Sequence, residues 1–463
     1  MNCYMFIDFG STFTKLTLVD IDNEEILATD KSYTTVETDV TIGYEKALNK
    51  LKEKVDFDKI NIVKTTACSS AAGGLKVVAI GLVTELTAEA AKRTALGAGA
   101  RIIKTYSFKM NDSETLEIKN SKIDMILLAG GTDGGNTDAI IHNAQMISKH
   151  QIQVPVVVAG NKSAVDEVSK IFDEGNIEYH VTENVMPHLN HINVEPARET
   201  IRNIFMENIV KAKGMERISE FIDGIAMPTP ASVLRAARVL SEGSENEDGL
   251  GDLVVLDIGG ATTDVHSIAD GLPTKPGVSM RGLEEPFAKR TVEGDLGMRY
   301  SATAVYEAAG LRLVKKFIDV DKYDSVEDEF QMRFDHTDFV STDELEKEFD
   351  LGMAKICTYL SMGRHAGTVE MVYSPMGPVY NQEGKDLSEV KYLIGTGGVI
   401  INNEKPEAIL KEGLFTMDEP NSLRPANPKL LVDKSYILSS MGLLSMIDKD
   451  LAIRLLKKYL VEI

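Results

Sequence analysis

Cysteine is scarce in this chain. Its 463 residues hold only Cys3, Cys68 and Cys357, far apart and in no CxxC pair or metal-ligand spacing. Widely scattered thiols in a long acidic chain are those of a reducing compartment. They exclude a disulfide scaffold and point to a cytoplasmic protein. Positive charge is short as well: 50 Lys and Arg stand against 71 Asp and Glu, a formal net charge of −21. Such a surface repels phosphate backbones and anionic lipids, so neither nucleic acid nor a membrane surface is expected as a partner. The nearest things to basic runs, Lys315-Lys316 and Lys457-Lys458, read as solvated helix faces. No apolar stretch approaches the ~18 residues of a membrane span, and the first one, Tyr4–Ile7, stops at Asp8. Neither a signal peptide nor a membrane segment is therefore expected. Missing too are Gly-x-Ser-x-Gly, the Walker A pattern and any orderable Ser–His–Asp or Cys–His set. His142, His150, His180, His188 and His191 show no ligand spacing.

What is present is an ordinary globular composition, 43% hydrophobic with 36 Gly. The length implies two to four domains or subdomains. A three-strand meander is expected at Met5–Asp8, Lys15–Asp20 and Glu25–Tyr33, then a helix at Ile42–Lys54 and a strand at Ile60–Thr66. From Ala67 to about Thr182 strands alternate with helices, the pattern of a parallel sheet covered on its faces. Glu195–Leu240 reads as helical, broken at Met227–Pro230, where Thr229 or Pro230 opens the next helix. A second short buried strand, Leu253–Asp257, is followed by helical stretches at Ala302–Gly310, Ser325–Met332 and Thr342–His365. Strands at Val369–Tyr373 and Lys391–Ile394 come next, and closing helices at Ser440–Met446 and Lys449–Tyr459. The expected division is 1–66, the first part of an N-terminal half; 67–190, an inserted α/β subdomain; 191–250, a helical segment completing that half; and 251–463, a C-terminal half.

One local motif occurs twice. Phe6-Ile7-Asp8-Phe9-Gly10-Ser11-Thr12-Phe13-Thr14-Lys15 and Val255-Leu256-Asp257-Ile258-Gly259-Gly260-Ala261-Thr262-Thr263-Asp264 both run apolar strand, Asp, apolar residue, Gly, small hydroxyl-rich turn, second strand. Glycine lets the backbone approach a phosphate oxygen closely. The turn's N–H groups and the Ser/Thr hydroxyls donate to an anion. An aspartate at the strand end cannot bind phosphate itself, but it can hold the hydrated Mg²⁺ that accompanies ATP or orient a water. Either copy alone is also what a tight hairpin looks like; two copies with a later Gly-rich loop, Gly395-Thr396-Gly397-Gly398, favour the phosphate reading. Such a loop after a strand allows close approach to the adenosine end of a nucleotide.

Taken in order, Asp8–Lys15, Asp257–Asp264 and Gly395–Gly398 resemble the phosphate-1, phosphate-2 and adenosine motifs of the actin/Hsp70/sugar kinase ATPase superfamily. Pro228–Ala237 and Ser440–Leu444 are similar to its connecting helices. The resemblance implies an α/β protein with two ribonuclease H-like halves around a nucleotide cleft. ATP and Mg²⁺ would be its cofactors, with Asp8 and Asp257 as the carboxylates that bracket the hydrated metal and the attacking water. Gly10, Ser11, Thr12, Thr14, Lys15, Gly259, Gly260, Ala261, Thr262, Thr263, Gly395, Thr396, Gly397 and Gly398 would bind the nucleotide. More narrowly, Ile7–Lys15, Leu127–Asp138, Gly363-Arg364-His365-Ala366-Gly367 and Gly395–Gly398 resemble the glutamate mutase accessory protein family (GlmL, or MutL in that operon context). This implies an ATP-dependent reactivating or chaperone factor, a slow ATPase, whose partners are subunits of an adenosylcobalamin-dependent aminomutase. A small-molecule kinase of the same fold is the alternative, with Asp264 or Asp295 as acceptor base.

Three further segments carry two readings each. Gly130–Asn136 follows a buried strand and precedes a helix; it is either an anion or partner-facing loop or a strand-to-helix turn. Glu293 and Asp295 sit in Thr291–Gly297, which is either a nucleotide-facing loop that orients water or a surface turn. Arg364-His365 is either cations at a helix C-terminus or a contact with partner or nucleotide.

Overall fold

The computed structural model describes residues 1–10, 12–35, 39–70, 75–210, 222–375 and 377–463. Ser11 lies outside the described residues. The chain divides into two units, Met1–Ser232 with Gly282–Pro286, and Val233–Arg281 with Phe287–Ile463.

In the first unit, β1 (Asn2–Phe9) and β2 (Phe13–Asp20) form a hairpin, and β3 (Glu25–Tyr33) continues the meander. The turn between β1 and β2 closes through the Gly10 N–H, which donates to the Phe13 carbonyl at 3.1 Å. A Cβ on Gly10 would lie 2.6 Å from that oxygen, so only glycine makes the turn. The helix Val40–Lys54 follows. Asp39 caps it by accepting from the Thr41 N–H, and Lys52 and Lys54 complement the dipole in its last turn. β4 (Asn61–Ser69) then lies parallel to β1.

Before the fifth strand the chain builds a second, wholly parallel sheet. Its strands are β5 (Lys76–Gly81), β6 (Arg101–Ser107), β7 (Met125–Leu128), β8 (Val156–Val158) and β9 (Tyr179–Val181), in the order β6-β5-β7-β8-β9. The period-two rule shows in the core: Val77, Ala79 and Leu127 enter one apolar cluster, while Val78, Ile80 and Leu128 enter another. Both faces are buried, as parallel strands require. β10 (Ile225–Pro228) returns to the first sheet beside β4, giving the order β3-β2-β1-β4-β10. The segment Gly282–Pro286 belongs to this unit. Leu283 lies in its core, and Arg93 reaches the Glu285 carboxylate at 3.1 Å.

The second unit repeats the first sheet. β11 (Leu253–Ile258) and β12 (Thr263–Ile268) form the hairpin, with β14 (Ala288–Glu293) beside β12. β17 (Tyr392–Thr396) is parallel to β11, and β18 (Lys429–Val432) is parallel to β17. The order β14-β12-β11-β17-β18 reproduces β3-β2-β1-β4-β10 strand for strand, with β19 (Val461–Glu462) added at the edge. The helix Glu344–His365 carries its buried stripe into the core with Leu256, Val265 and Leu393. A smaller sheet, β13 (Val278–Arg281), β15 (Thr368–Ser374) and β16 (Gly377–Glu383), has the order β13-β16-β15. No helix among the described residues is long and apolar enough to cross a membrane.

The segment expected as one interrupted helical stretch differs. Glu195–Val210 is helical, but Ile225–Pro228 is the fifth strand, and Thr229 opens the helix Thr229–Glu242. Four residues ending in proline are too few to carry a strand signal, and proline at the last position needs no ladder N–H.

Candidate functional site

In the second unit the hairpin loop after β11 is held from behind. The N–H groups of Met298 and of Arg299 and Tyr300 donate to the carbonyls of Gly259 and Gly260 at 3.1, 2.8 and 2.9 Å. The Ser301 hydroxyl donates to the Ala261 carbonyl at 2.7 Å, and that of Thr263 to the Leu296 carbonyl at 2.6 Å. Gly297 packs so closely that a Cβ there would lie 2.4 Å from the Ala261 carbonyl carbon. The carbonyls are thus consumed, while the N–H groups of Gly260, Ala261 and Thr262 have no acceptor among the described residues. Consecutive unused amides on a glycine turn are an anion-binding donor set.

Two further groups meet this loop. Gly397, at φ +95°, lies against the end of β11: a Cβ there would be 2.3 Å from the Ile258 oxygen and 2.8 Å from Asp257 Oδ1. The Gly395–Gly398 loop is thereby set beside Asp257. It is anchored behind by buried Asp433, which accepts from the Thr396 hydroxyl and from the N–H groups of Ile437 and Leu438. Across the hairpin Asp257 pairs with Asp264, and Arg290 of β14 donates to Asp264 Oδ1 at 2.9 Å. Burial pushes the Asp264 carboxyl above its ordinary range, against the opposing pull of Arg290.

The first unit builds the same hairpin with different charges. Asp8 and Lys15 are register partners, the positions of Asp257 and Asp264 in the second copy. Here the pair is an ion pair, Lys15 Nζ to Asp8 Oδ2 at 2.9 Å. The Thr229 hydroxyl donates to Asp8 Oδ1 at 2.6 Å, so both oxygens of this buried carboxylate are engaged. Cys68 lies beside it, and burial pushes its thiol well up. Thr14 shares a hydrogen bond with Thr34 at 3.1 Å, and the Thr12 carbonyl accepts from Thr34 N–H.

The segments with two readings now differ. Arg364 clamps Asp295 with both terminal nitrogens, at 2.7 and 2.9 Å, and Glu293 at 2.7 Å. These carboxylates fix the loop that backs Gly259–Ala261. His365 is buried between the Thr291 and Ser267 hydroxyls, and burial holds it well below the usual histidine range. In Gly130–Asn136 three amides are spent: Asp133 N–H donates to Pro187 O, Gly134 N–H to Asn161 Oδ1, and Gly135 N–H to Thr132 O. The second part of this loop is a self-closed turn, while the N–H groups of Gly130, Gly131 and Thr132 have no acceptor among the described residues, as at Gly260–Thr262. Thr229, Arg290, Arg299 and Asp433 had no place in the sequence reading as site residues. Thr229 alone left a trace, as a helix opener.

Two copies of one five-strand order, each with a D-x-G hairpin between its first strands, define an α/β protein of two ribonuclease H-like halves, the actin-like ATPase fold. The chain belongs to the MutL protein family, which it matches over residues 4–460. Protein MutL of Clostridium tetanomorphum is 58% identical over 463 residues, the whole of both chains. Among solved structures, the chain is similar to a nucleotide-free acetone carboxylase (11% identity, 95% of this chain and 69% of that one, TM-score 0.39). It is also similar to the xylulose kinase of Lactobacillus acidophilus (11% identity, 100% and 93%, TM-score 0.34). The fold assignment rests on strand order and not on those superpositions.

Proposed function

We propose that this protein is an ATP-binding accessory factor that reactivates an adenosylcobalamin-dependent mutase of the glutamate mutase type. Membership of the MutL family supports the link to the mutase system. The observation that carries the nucleotide reading is the row of unused N–H groups at Gly260, Ala261 and Thr262, with the Gly395–Gly398 loop set against Asp257. In this reading those amides meet phosphate oxygens, and Gly397-Gly398 lies along the adenosine end. In the first unit the matching positions are Gly10, Thr12 and Thr14 in sequence, with Lys15, held by Asp8, as the positive charge of that copy.

No group of three or more His, Cys, Asp or Glu able to hold a metal occurs among the described residues. Mg²⁺ would be held by the nucleotide's own oxygens and by water, and Asp257 would reach it through that water; Asp8, buried with both oxygens taken by Lys15 and Thr229, would act through Lys15. The ion would neutralise charge on the terminal phosphates. Asp257 orients the attacking water and Asp8 keeps Lys15 in place; hydrolysis is slow and serves as a switch. The inserted parallel sheet, β5 to β9, shares one apolar core with β1, β2 and β4 of the same unit.

Calorimetric titration tests this. The wild type is expected to bind ATP saturably, and Lys15→Met to bind it roughly 10- to 100-fold more weakly, the loss of one charge-assisted contact. A wild type with no saturable ATP binding sinks the proposal. So does wild-type ATP consumption that appears only with a small acceptor, which would make the protein a kinase.

A further inference from the structure

The inserted sheet carries a donor set of its own. After β7 the chain runs Ala129-Gly130-Gly131-Thr132, and the N–H groups of the last three have no acceptor among the described residues. Their carbonyls are taken from behind. Gly130 O accepts from the Asn161 N–H at 3.1 Å, Gly131 O from the Asn184 side-chain amide at 3.0 Å, and Thr132 O from the Gly135 N–H at 2.9 Å. Asn161 and Asn184 are both buried, and Asn161 also bonds Gly134, Gly135 and Asn136, so the loop is fixed in this orientation. A Cβ on Gly131, at φ +74°, would lie 2.1 Å from the Asn136 oxygen, so only glycine makes the turn. Carbonyls held back and consecutive amides left over are also the arrangement at Gly259–Thr262, built there with other partners. The inserted loop is the more enclosed of the two: Gly130 and Gly131 are buried, whereas Gly260–Thr262 are half-buried. Buried N–H groups without an acceptor are rare in folded chains, because the bond to water given up on folding is not replaced. Two in succession point to an acceptor that the chain itself does not supply.

Topology sets these amides at a crevice. The order β6-β5-β7-β8-β9 places the second strand on one side of the first and the third on the other. The chain leaves β5 toward one face, where Leu86, Ala90 and Ala91 join one core. It leaves β7 toward the opposite face, where Ile140 and Ala144 join the other. The two connections diverge, and in open parallel sheets the gap between such connections, at the carboxyl ends of the strands, is where ligands bind. Gly130 stands at that gap: a Cβ on it would be 3.5 Å from the nitrogen of Leu82, the first residue after β5. On the β5 side the Leu82 and Val83 N–H groups are spent on the Thr87 hydroxyl. The free donors are therefore those of residues 130–132. Charge limits what they take. Asp133 is turned back onto the Lys162 N–H and the Asn184 amide, with the Lys162 ammonium 4.0 Å away to offset it. The loop thus brings amides and no surplus positive charge. That suits a single phosphate group rather than a polyphosphate, which needs cations beside it.

We infer that Gly130–Thr132 binds the phosphate ester of a small ligand in the crevice between β5 and β7, a second site that does not depend on the D-x-G hairpins. The test uses the full chain with a non-hydrolysable ATP analogue at saturation. Inorganic phosphate, flavin mononucleotide and adenosylcobalamin, whose nucleotide is joined through a phosphodiester, are titrated calorimetrically in separate arms, and the arm that responds names the source of the phosphate. At least one is expected to bind saturably and to slow amide exchange at Gly130–Thr132 at least 10-fold. Thr132→Glu, which puts a carboxylate beside the three amides, is expected to weaken that binding at least 10-fold, and Thr132→Ser to keep it within twofold. ATP affinity should be unchanged in both variants. A wild type that binds none of the three probes overturns the site. So does a bound probe that leaves exchange at Gly130–Thr132 as it was, a readout that needs no variant to fold. A Thr132→Glu protein that binds the probe as tightly as the wild type overturns it as well. None of these results bears on the ATP reading, which stands or falls by its own titration.

Discussion

Gly397→Ala is expected to destabilise the second unit by about 3 kcal/mol, while Gly398→Ala, one residue on, leaves stability within about 0.5 kcal/mol of the wild type. The two glycines look alike in sequence and differ in what surrounds them. Gly397 has φ +95°, a backbone region that L side chains rarely adopt, and its Cβ would lie 2.3 Å from the Ile258 oxygen. Relief would need the Thr396–Gly398 loop to back away from β11, straining the Thr396 hydrogen bond to Asp433. A Cβ on Gly398 meets nothing within 4 Å. For a unit of this size the first change corresponds to a fall in melting temperature of roughly 6–12 °C. Nucleotide affinity should respond differently. If the open space beside Gly398 is where the adenosine end lies, Gly398→Ala weakens ATP binding at least 10-fold with the melting temperature unchanged. Scanning calorimetry and ATP titration on both variants decide the matter: a Gly397→Ala protein that melts like the wild type removes the steric argument. A Gly398→Ala protein with wild-type affinity removes the loop from the nucleotide site.

Much of the hairpin geometry was legible because its chemistry is local. Asp8, Gly10 and the seven-residue step to Lys15, repeated at Asp257, Gly259 and Asp264, fix a strand, a glycine-only turn and a returning strand. The inserted sheet was legible for a similar reason: Met125–Leu128 and Val156–Val158 are unbroken apolar runs, buried on both faces. The strands that complete the sheets were not. β14 reads Ala-Lys-Arg-Thr-Val-Glu, and nothing in that run says that Arg290 is buried against Asp264, 26 residues earlier. The helix Asp112–Asn120 escaped because its buried side amounts to Thr115 and Ile118. A strand signal needs apolar alternation, and a buried ion pair reads as surface until its partner is known.

The roles of the loops divide along the same line. Gly130–Asn136 and Gly259–Thr263 are both glycine-rich turns after buried strands, and composition does not separate them. What separates them is how each turn is held: Asn161 and Pro187 accept from the N–H groups of Gly134 and Asp133 in one case, and residues 298–301 donate to the carbonyls of Gly259–Ala261 in the other. These partners are distant in sequence, so no local pattern carries the distinction.

The backing of Gly259–Ala261 makes Asp350 the carboxylate whose loss should be felt most. It is 8% exposed and accepts from Arg299 at 2.8 Å, Arg333 at 2.7 Å and the Ser341 hydroxyl at 2.6 Å. Arg333 is fully buried, and Arg299 is the residue whose backbone N–H holds the Gly260 carbonyl. Asp350→Asn leaves buried Arg333 with Glu329, at 2.8 Å, as its remaining carboxylate and weakens the charge-assisted bonds to Arg299 and Arg333, which costs about 1–3 kcal/mol. It also frees the segment that keeps the loop's carbonyls turned back, so ATP affinity should fall with stability. The pH dependence has a definite sign. Burial alone would raise the Asp350 carboxyl, but the Arg299 and Arg333 guanidinium groups outweigh it and hold it below its ordinary 3.8. A carboxylate depressed on folding contributes its full stability above 3.8, and that contribution is lost as pH falls through the folded-state value. In urea denaturation the gap between wild type and Asp350→Asn should therefore be widest near neutrality and should narrow below 3.8. A gap that keeps its size into that acid range would mean that the lost stability comes from packing rather than from the charge on Asp350.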